Sequence, residues 1–330
     1  MTQGEDELAC CSKCPMPAII YQRYSGMHLC QAHFEDDIHR KARETLRQSG
    51  LFAHGLRLAL LMDGGEGSAV MASIIKSLFG CRRDIDLIAL IVDDRGPGLR
   101  AARIACQQIG LCSSIEILPA LLRNGEERGD LLPDPSRPVQ RVRRAADLAQ
   151  ERGADAMATG EDLDDVATGI FMSYLDGDID ELRCRLPDVE QGIGQGGRGT
   201  IPIIQPLRRI PAREVRLYAL QHGLCFCRER GKREGIEEER RKRDRMGGMR
   251  MGVEGMRGMR MGVEGMGGKG IEEGRAEEER QARAREELSL FDLRHPGTKY
   301  SLLRSLEKLG LRDLIDQGPP GAKPLSDDEK

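Results

Sequence analysis

The sequence of 330 residues has no tryptophan, six phenylalanines and five tyrosines. It also has no apolar run that approaches the ~20 residues needed to cross a bilayer, and its N-terminus shows no charged-then-apolar signal pattern. From these absences we expect a cytoplasmic protein with no membrane association. A net charge of -3 provides no global attraction to nucleic acid, so binding of RNA would require local basic patches.

A hydrophobic content of 39% is sufficient for a folded core, but 40 glycines and 32% charged residues imply that one long segment does not pack. That segment is predicted at 225–287. Within it, the sequence from Gly248 to Met256 recurs from Gly258 to Met266, after a run of charged residues. Because such glycine content opposes helix formation, we predict a disordered insertion with charged flanks that are compatible with helix. A methionine-rich clamp for RNA or protein is the alternative.

Ten cysteines in a reducing compartment favour metal ligands or free thiols over disulfides. Cys11 and Cys14 form one pair with two residues between them, and Cys30 and His33 form a second. Thiolates and imidazole at this spacing predict one tetrahedral zinc site in an N-terminal ribbon, residues 1–45. Cys10 is a spare candidate ligand, and three unrelated thiols beside a surface histidine are the alternative.

Strand and helix patterns alternate over residues 46–224. An apolar run from Leu56 to Met62 precedes a glycine-rich loop and a helical pattern, and the run from Ile85 to Val92 repeats this arrangement. The alternation predicts an α/β fold with a doubly wound parallel sheet, in which ligands bind beyond the carboxyl ends of the strands. The loops that start at Asp63, Asp93 and Gly160 lie at those ends. A helix at 288–316 is expected to pack on this core, followed by a tail at 317–330.

Several motifs occur together in this order. They are Cys11, Cys14, Cys30 and His33 followed by Phe34; Asp63–Ser68; Asp93–Arg100; Gly153–Asp155; Ala158–Asp165; Gly177-Asp178; Gln205–Pro211 with Glu214 and Tyr218; and His295–Tyr300. In this order and context the chain resembles the archaeal and bacterial tRNA 2-thiolation enzymes of the PP-loop ATP pyrophosphatase superfamily. These enzymes adenylate a uridine carbonyl and replace its oxygen with sulfur. The resemblance implies a PP-loop fold, with ATP and magnesium as cofactors and tRNA as partner.

The resemblance also implies nucleotide-binding positions, at Gly64, Gly65, Ser68, Asp93 and Gly160. The family's loop has the form Ser-Gly-Gly-Lys-Asp-Ser, in which backbone N–H groups cradle a phosphate. In this chain Asp63 replaces the first serine, Glu66 the lysine and Gly67 the aspartate. We expect both carboxylates to face the phosphate position, which weakens ATP binding unless magnesium intervenes.

The third loop of the family reads Gly-His-Asn-Leu-Asp-Asp. Here Glu161 and Asp162 replace the histidine and asparagine, whereas Asp164 and Asp165 are retained. These two aspartates are the candidate catalytic residues. Capping of the following helix is the alternative role for both, because carboxylates favour that position.

Sulfur transfer in the family uses three cysteines. By our alignment their positions fall on Asp134, Arg137 and a site near Gly231, none of which is cysteine. Cys225 and Cys227 are displaced candidates, and packed or solvent-facing thiols are the alternative. The family's C-terminal zinc finger is also missing, because no cysteine follows Cys227.

Three functions remain open. The chain is a catalytically impaired member that binds tRNA or an active relative, an active sulfurtransferase with altered nucleotide loop and sulfur route, or a zinc-anchored structural protein. Loss of three catalytic elements favours the first, with a homodimer or a heteromer with an active relative as its assembly. A phosphate-contacting surface is predicted from the arginines, and an ordinary solvated helix face is the alternative for them. These arginines are Arg141, Arg143, Arg144, Arg208, Arg209 and Arg213.

Overall fold

The computed structural model describes residues 9–53, 55–93, 97–111, 115–119, 138–184, 201–227 and 269–316. The repeats from Gly248 to Met266 lie outside these ranges, as do the sulfur-transfer positions Asp134, Arg137 and Gly231. So do the side chains of Asp93 and of three of the predicted surface arginines, Arg141, Arg143 and Arg144.

The N-terminal ribbon is a two-stranded antiparallel sheet followed by a long helix. Strand β1 (Ile20–Gln22) pairs with β2 (Met27–Leu29), and helix α1 (Gln31–Gln48) follows directly. Gly26 makes the turn between the strands with φ of 67°, a backbone conformation that glycine adopts without steric cost. Cys30 is the N-cap of α1, so two of the predicted metal ligands lie on the first turn of this helix.

The core is a five-stranded parallel sheet in the order β5-β4-β3-β6-β7. Its strands are β3 (Leu56–Met62), β4 (Ile85–Asp93), β5 (Ile115–Pro119), β6 (Ala156–Ala158) and β7 (Ile203–Ile204). The connecting helices are α2 (Glu66–Phe79), α3 (Pro97–Ile109), α4 (Pro138–Glu151), α5 (Leu163–Asp176), α6 (Ile179–Cys184) and α7 (Ala212–Gln221). The strand order places the carboxyl ends of β3, β4 and β6 side by side.

Both faces of the sheet are buried. Leu58 and Leu60 of β3 belong to the apolar cluster formed with α1, α2, α3 and α7, whereas Ala59 between them packs with Ala145 and Ala149 of α4. Because successive side chains of a strand point to opposite faces, helices must cover the sheet on both sides. The predicted doubly wound parallel sheet is therefore confirmed.

The C-terminal part consists of two helices, α8 (Lys269–Arg294) and α9 (Thr298–Asp316). Helix α8 begins well before residue 288, where we placed the start of this part, so the charged flank of the predicted insertion is helical from Lys269. Gly297 lies in the turn between the two helices with φ of 97°. Leu303 and Leu306 of α9 then pack against α5.

None of the helices within the described ranges is long and apolar enough to cross a bilayer.

A buried charge network docks the ribbon on the core. Glu214 of α7 accepts hydrogen bonds from the hydroxyl of Tyr24, at 2.8 Å, and from Nζ of Lys41, at 3.3 Å. Lys41 Nζ also lies 2.8 Å from Asp37 Oδ2, and both carboxylates are almost fully buried. Burial raises the pKa of Glu214, an effect that Lys41 and Tyr24 only partly offset. Lys41 therefore contacts two buried carboxylates, and Asp37 has a second cation in Arg40.

Replacing Lys41 by Met is expected to destabilise the chain by about 3–5 kcal/mol, because it leaves the buried carboxylate of Glu214 without its cation. Arg40→Ala is the control, since Arg40 contacts the same Asp37 from an exposed position and is worth at most about 1 kcal/mol there. Urea-unfolding midpoints would measure the difference. Equal midpoints for the two variants would contradict the assigned role of Lys41.

Candidate functional site

The four predicted metal ligands come together in the ribbon. Sγ of Cys14 lies 3.6 Å from Sγ of Cys30, and Nδ1 of His33 lies 3.3 Å from Cys30 Sγ and 3.5 Å from Cys11 Sγ. All four atoms lie within 4.8 Å of one another. Zinc with sulfur ligands at about 2.3 Å in tetrahedral geometry separates two sulfurs by about 3.8 Å, so the site has the dimensions of a tetrahedral centre.

The surroundings of Cys11 favour a thiolate. Desolvation raises its pKa, but hydrogen bonds from the backbone of Cys30 and Lys13 and from neighbouring thiols lower it to about 6. A thiolate is the form that binds metal. Cys10, the spare candidate, is exposed and does not join the cluster.

The predicted nucleotide loop connects β3 to α2, and two of its side chains form hydrogen bonds with its backbone. Oδ1 of Asp63 accepts a hydrogen bond from the backbone N–H of Gly65 at 2.8 Å, and Gly65 is the N-cap of α2. Ser68 is buried and donates from Oγ to the carbonyl of Gly65 at 3.1 Å. The Asp63 carboxylate therefore holds an N–H group of the kind that cradles a phosphate in such loops.

Two backbone contacts close the loop against its neighbours. A Cβ atom on Gly67 would lie under 3.0 Å from the carbonyl oxygen of Gly160. A Cβ atom on Gly64 would likewise lie under 3.0 Å from the carbonyl oxygen of Gly98. Gly64 also has φ of 85°. The loops after β3, β4 and β6 thus touch through glycine backbone, and position 67 has no room for the aspartate of the family's motif.

Glu66 has a partner that the sequence did not predict. Its carboxylate is paired with a cation, since Oε1 lies 3.8 Å from Nε of Arg216 on α7. Both side chains are largely buried, with 15% of Glu66 and 27% of Arg216 exposed. Of the two carboxylates that we placed at the phosphate position, only Asp63 contacts the loop backbone.

The acidic third loop forms the N-terminus of α5. Asp162 is the N-cap and accepts from the N–H of Asp165 at 2.9 Å, while Asp165 Oδ2 accepts from the N–H of Asp162 at 3.2 Å. Capping, the alternative role that we kept open, is therefore the observed role of Asp165.

Asp164 joins three elements of the fold. Its Oδ2 accepts from the N–H of Ala212 at the start of α7 at 2.8 Å, and its Oδ1 accepts from Nζ of Lys299 of α9 at 2.5 Å. Burial raises the pKa of Asp164, but Lys299 outweighs this effect and holds the pKa below its usual value. Both candidate catalytic carboxylates are consequently engaged in structural contacts.

An extended segment after α7 lies across the nucleotide loop. The amide of Gln108 on α3 donates to the carbonyl of Gly223 at 3.0 Å and accepts from the N–H of Cys225 at 2.8 Å. The N–H of Cys227 then donates to the carbonyl of Gly64 at 2.7 Å. This contact places Cys227 beside the nucleotide loop, whereas Cys225 is held by α3.

The predicted arginine surface is wrong for Arg208, which is buried with 4% of its surface exposed and lies 3.7 Å from Glu307. Arg209 is partly buried and pairs with Glu307 at 3.2 Å and Glu44 at 3.7 Å. Arg213 is exposed, as expected.

Four residues that position the site were missed, namely Gln108, Arg216, Arg285 and Lys299. Lys299 lies within the motif from His295 to Tyr300, so its presence in a family motif was the available signal. For the other three residues the sequence offers no such signal, because each contact joins residues more than 100 positions apart in the chain.

Gly67→Ala tests the backbone contact with Gly160. Alanine favours a helix by about 1 kcal/mol over glycine, so helix propensity alone predicts stabilisation. We expect destabilisation of about 1–3 kcal/mol in urea unfolding, because the Cβ has no space. Gly65→Ala is the control, since its Cβ meets only the side chain of Asp63, at 3.2 Å. A more stable Gly67→Ala variant would disprove the contact.

Comparison with known proteins agrees with this arrangement. The family described as the N-terminal LIM domain of the 2-thiouridine synthetase TtuA matches residues 11–35. A probable sulfurtransferase of Methanocaldococcus jannaschii is 30% identical over 240 residues, which cover 68% of this chain and 67% of that protein. The tRNA 2-thiolation protein NcsA of Haloferax volcanii is 28% identical over 232 residues, 63% of this chain and 71% of that protein.

The fold also resembles a solved structure, described as the U34-tRNA thiolase NcsA from Methanococcus maripaludis with its [4Fe-4S] cluster. The two superpose with a TM-score of 0.65 and 24% identity, over 91% of this chain and 87% of that one. This similarity supports the α/β fold, and the sequence relatives support the family. The chain belongs to the tRNA 2-thiolation family of PP-loop proteins.

Proposed function

We propose that this chain is a tRNA-binding member of the family that does not itself carry out ATP-dependent thiolation. The proposal rests on the hydrogen bonding and packing of the nucleotide loop. The carboxylate of Asp63 is bound to the N–H of Gly65, and Gly67 lies against the backbone of Gly160. A phosphate would have to displace an anion that belongs to the loop itself.

Charge repulsion makes that displacement unfavourable. Two like unit charges at about 4 Å repel by about 4 kcal/mol at an effective dielectric of about 20. The family's loop has a lysine that would attract the phosphate, and Glu66 replaces it in this chain. Arg216 is already paired with the Glu66 carboxylate. Magnesium would offset part of the repulsion, so ATP binding is weakened rather than abolished.

The sulfur route supports the same proposal. The three family positions for cysteine carry Asp134, Arg137 and Gly231. The two carboxylates that we named as catalytic candidates cap α5 and bind Lys299. Binding of tRNA, alone or together with an active relative, is a property of the family that requires neither the altered nucleotide loop nor the missing cysteines. Exposed Arg213 is a contact for the phosphate backbone.

A second candidate function rests on Cys227. Its N–H is bonded to Gly64 of the nucleotide loop, which places a cysteine beside that loop despite its displacement in the sequence. If this thiol carries sulfur, the chain is an active sulfurtransferase with an altered route. Thiolation by the natural chain that is lost in Cys227→Ser would support this candidate.

The ribbon is proposed to hold a structural zinc ion through Cys11, Cys14, Cys30 and His33. Three sulfurs and one imidazole suit this cation, and a closed set of four protein ligands is typical of structural sites. When bound, the ion would crosslink the start of the ribbon to the first turn of α1. The solved thiolase carries an iron-sulfur cluster, so the identity of the metal requires measurement.

The purified chain is expected to bind ATP weakly, to form no 2-thiouridine in tRNA with ATP and sulfide, and to shift tRNA in a gel with strong salt dependence. Calorimetry, nucleoside analysis and gel shifts measure the three outcomes. Formation of 2-thiouridine by the natural chain would overturn the proposal. Absence of any tRNA shift would favour the zinc-anchored structural protein.

Restoring the loop provides a sharper test of ATP binding. The variant Asp63→Ser, Glu66→Lys and Arg216→Ala removes the loop's carboxylates and the guanidinium that would repel the new lysine, and it leaves Gly67 unchanged. We expect ATP affinity to rise at least about tenfold, since roughly 1.4 kcal/mol of repulsion is sufficient for that change. Asp86→Ser, which removes a carboxylate near the opposite end of β4, should leave the affinity unchanged.

Elemental analysis is expected to find one zinc per chain and no iron. Cys14→Ser should release the ion and increase amide exchange over residues 9–48, because small ribbons depend on their metal for folding. Cys10→Ser is the matched control and should retain the metal. Iron with a cluster absorbance in the natural chain would contradict the assignment of zinc.

A further inference from the structure

Two cations from the C-terminal helices cover the acidic N-terminus of α5. Lys299 of α9 binds Asp164, as described above. Arg285 of α8 donates from Nη2 to Oδ1 of Asp165, and the same nitrogen lies 3.9 Å from Oδ1 of Asp162. One guanidinium thus contacts both members of the capping box.

The contact with Arg285 is partly shielded from water, since the side chain of Asp165 is 31% exposed. The side chain of Arg285 is 25% exposed and that of Asp162 only 5%. Burial lowers the pKa of the guanidinium, but the carboxylates of Asp165, Asp162 and Asp164 outweigh this effect and raise it. Arg285 is therefore charged, and it lies over the nearly buried carboxylate of Asp162.

The remainder of α8 is held by few apolar contacts. Among its described side chains, residues 279–294, the buried apolar ones are Ala284 and Leu288, whereas Leu290, Phe291 and Leu293 are exposed. A second ion pair joins Arg280 to Asp176 at the other end of α5, and both of its side chains are more than one third exposed. The described side chains of α8 therefore hold it on α5 partly through charge, which makes this attachment sensitive to salt.

Helix α9 differs in this respect. Leu303 and Leu306 are buried against α5, so α9 belongs to the core. The turn that joins α8 to α9 contains Gly297, whose positive φ shows that the chain reverses through a residue without a side chain. The ion pairs of α8 can thus be lost while α9 keeps its apolar contacts with α5. Ser289 of α8 is held in addition by Lys299, at 3.2 Å.

We propose that α8 is a latch that covers Asp162 and part of Asp165 through Arg285 and lifts from α5 when its ion pairs are screened. When closed, the latch keeps these carboxylates from any ligand in the crevice between α5 and the nucleotide loop. When open, it exposes them there, because Gly160 of the same loop touches Gly67. The latch goes beyond the proposed function and does not depend on tRNA binding or on ATP.

Carboxyl footprinting of the full chain tests the latch. A carbodiimide and glycine ethyl ester modify accessible carboxylates, and mass spectrometry locates them by residue. Between about 0.1 M and 1 M NaCl the Debye length falls from about 10 to about 3 Å, so salt should open the latch. We expect modification of Asp162 to rise several-fold over this range, with exposed Asp86 and α9-bound Asp164 unchanged.

A pair of variants supplies the matched control. Arg285→Gln should increase modification of Asp162 and Asp165 roughly tenfold at low salt and remove most of the salt effect. Arg283→Gln alters an exposed arginine on the same helix and should behave as the natural chain. Amide exchange should accelerate in α8 in the Arg285→Gln variant and remain slow in β3 and β4.

The latch is disproved if Asp162 is modified equally in the two variants, or if Asp164 and the core strands open together with it, because α8 would then be an integral part of the core. Should Arg285→Gln fail to fold, the salt series on the natural chain decides by itself. A constant modification of Asp162 across that series would likewise overturn the proposal.

Discussion

The close approach of Gly67 to the carbonyl of Gly160 is the constraint on which the candidate site depends. It sets the distance between the first turn of α2 and the end of β6, and so brings the nucleotide loop against the loop that begins α5. No side chain fits between them. Because an aspartate at position 67 would force these loops apart, glycine at this position and the close approach of the two loops depend on each other.

Around this contact, every described carboxylate that the site has gained or kept has an internal partner. Glu66 pairs with Arg216, Asp63 with the N–H of Gly65, and Asp164 with Lys299. Charges that would oppose a phosphate are thus used to join α7 and α9 to the sheet. Buried carboxylates without partners would be costly. The paired carboxylates of the site instead stabilise its contacts with α7 and α9.

The ribbon is attached to the same region. Lys41 lies between Asp37 of the ribbon helix and Glu214 of α7, and α7 also carries Arg216 and begins at Ala212, whose N–H binds Asp164. A metal-stabilised ribbon, the nucleotide loop and the acidic end of α5 therefore all meet α7. This shared helix gives the family's N-terminal domain a physical connection to the altered site.

The sequence by itself determined the α/β alternation and the positions of most strands, because buried parallel strands are continuous apolar runs that local pattern reveals. It also determined the grouping of Cys11, Cys14, Cys30 and His33, since ligand spacing is a local property. Only the tertiary structure decided that Glu66 turns to Arg216, that Arg208 is buried, and that α8 covers Asp162. Each of these depends on which distant side chain becomes the neighbour. The location of a charged side chain is set by the residue that it pairs with, and its position along the chain does not reveal that residue.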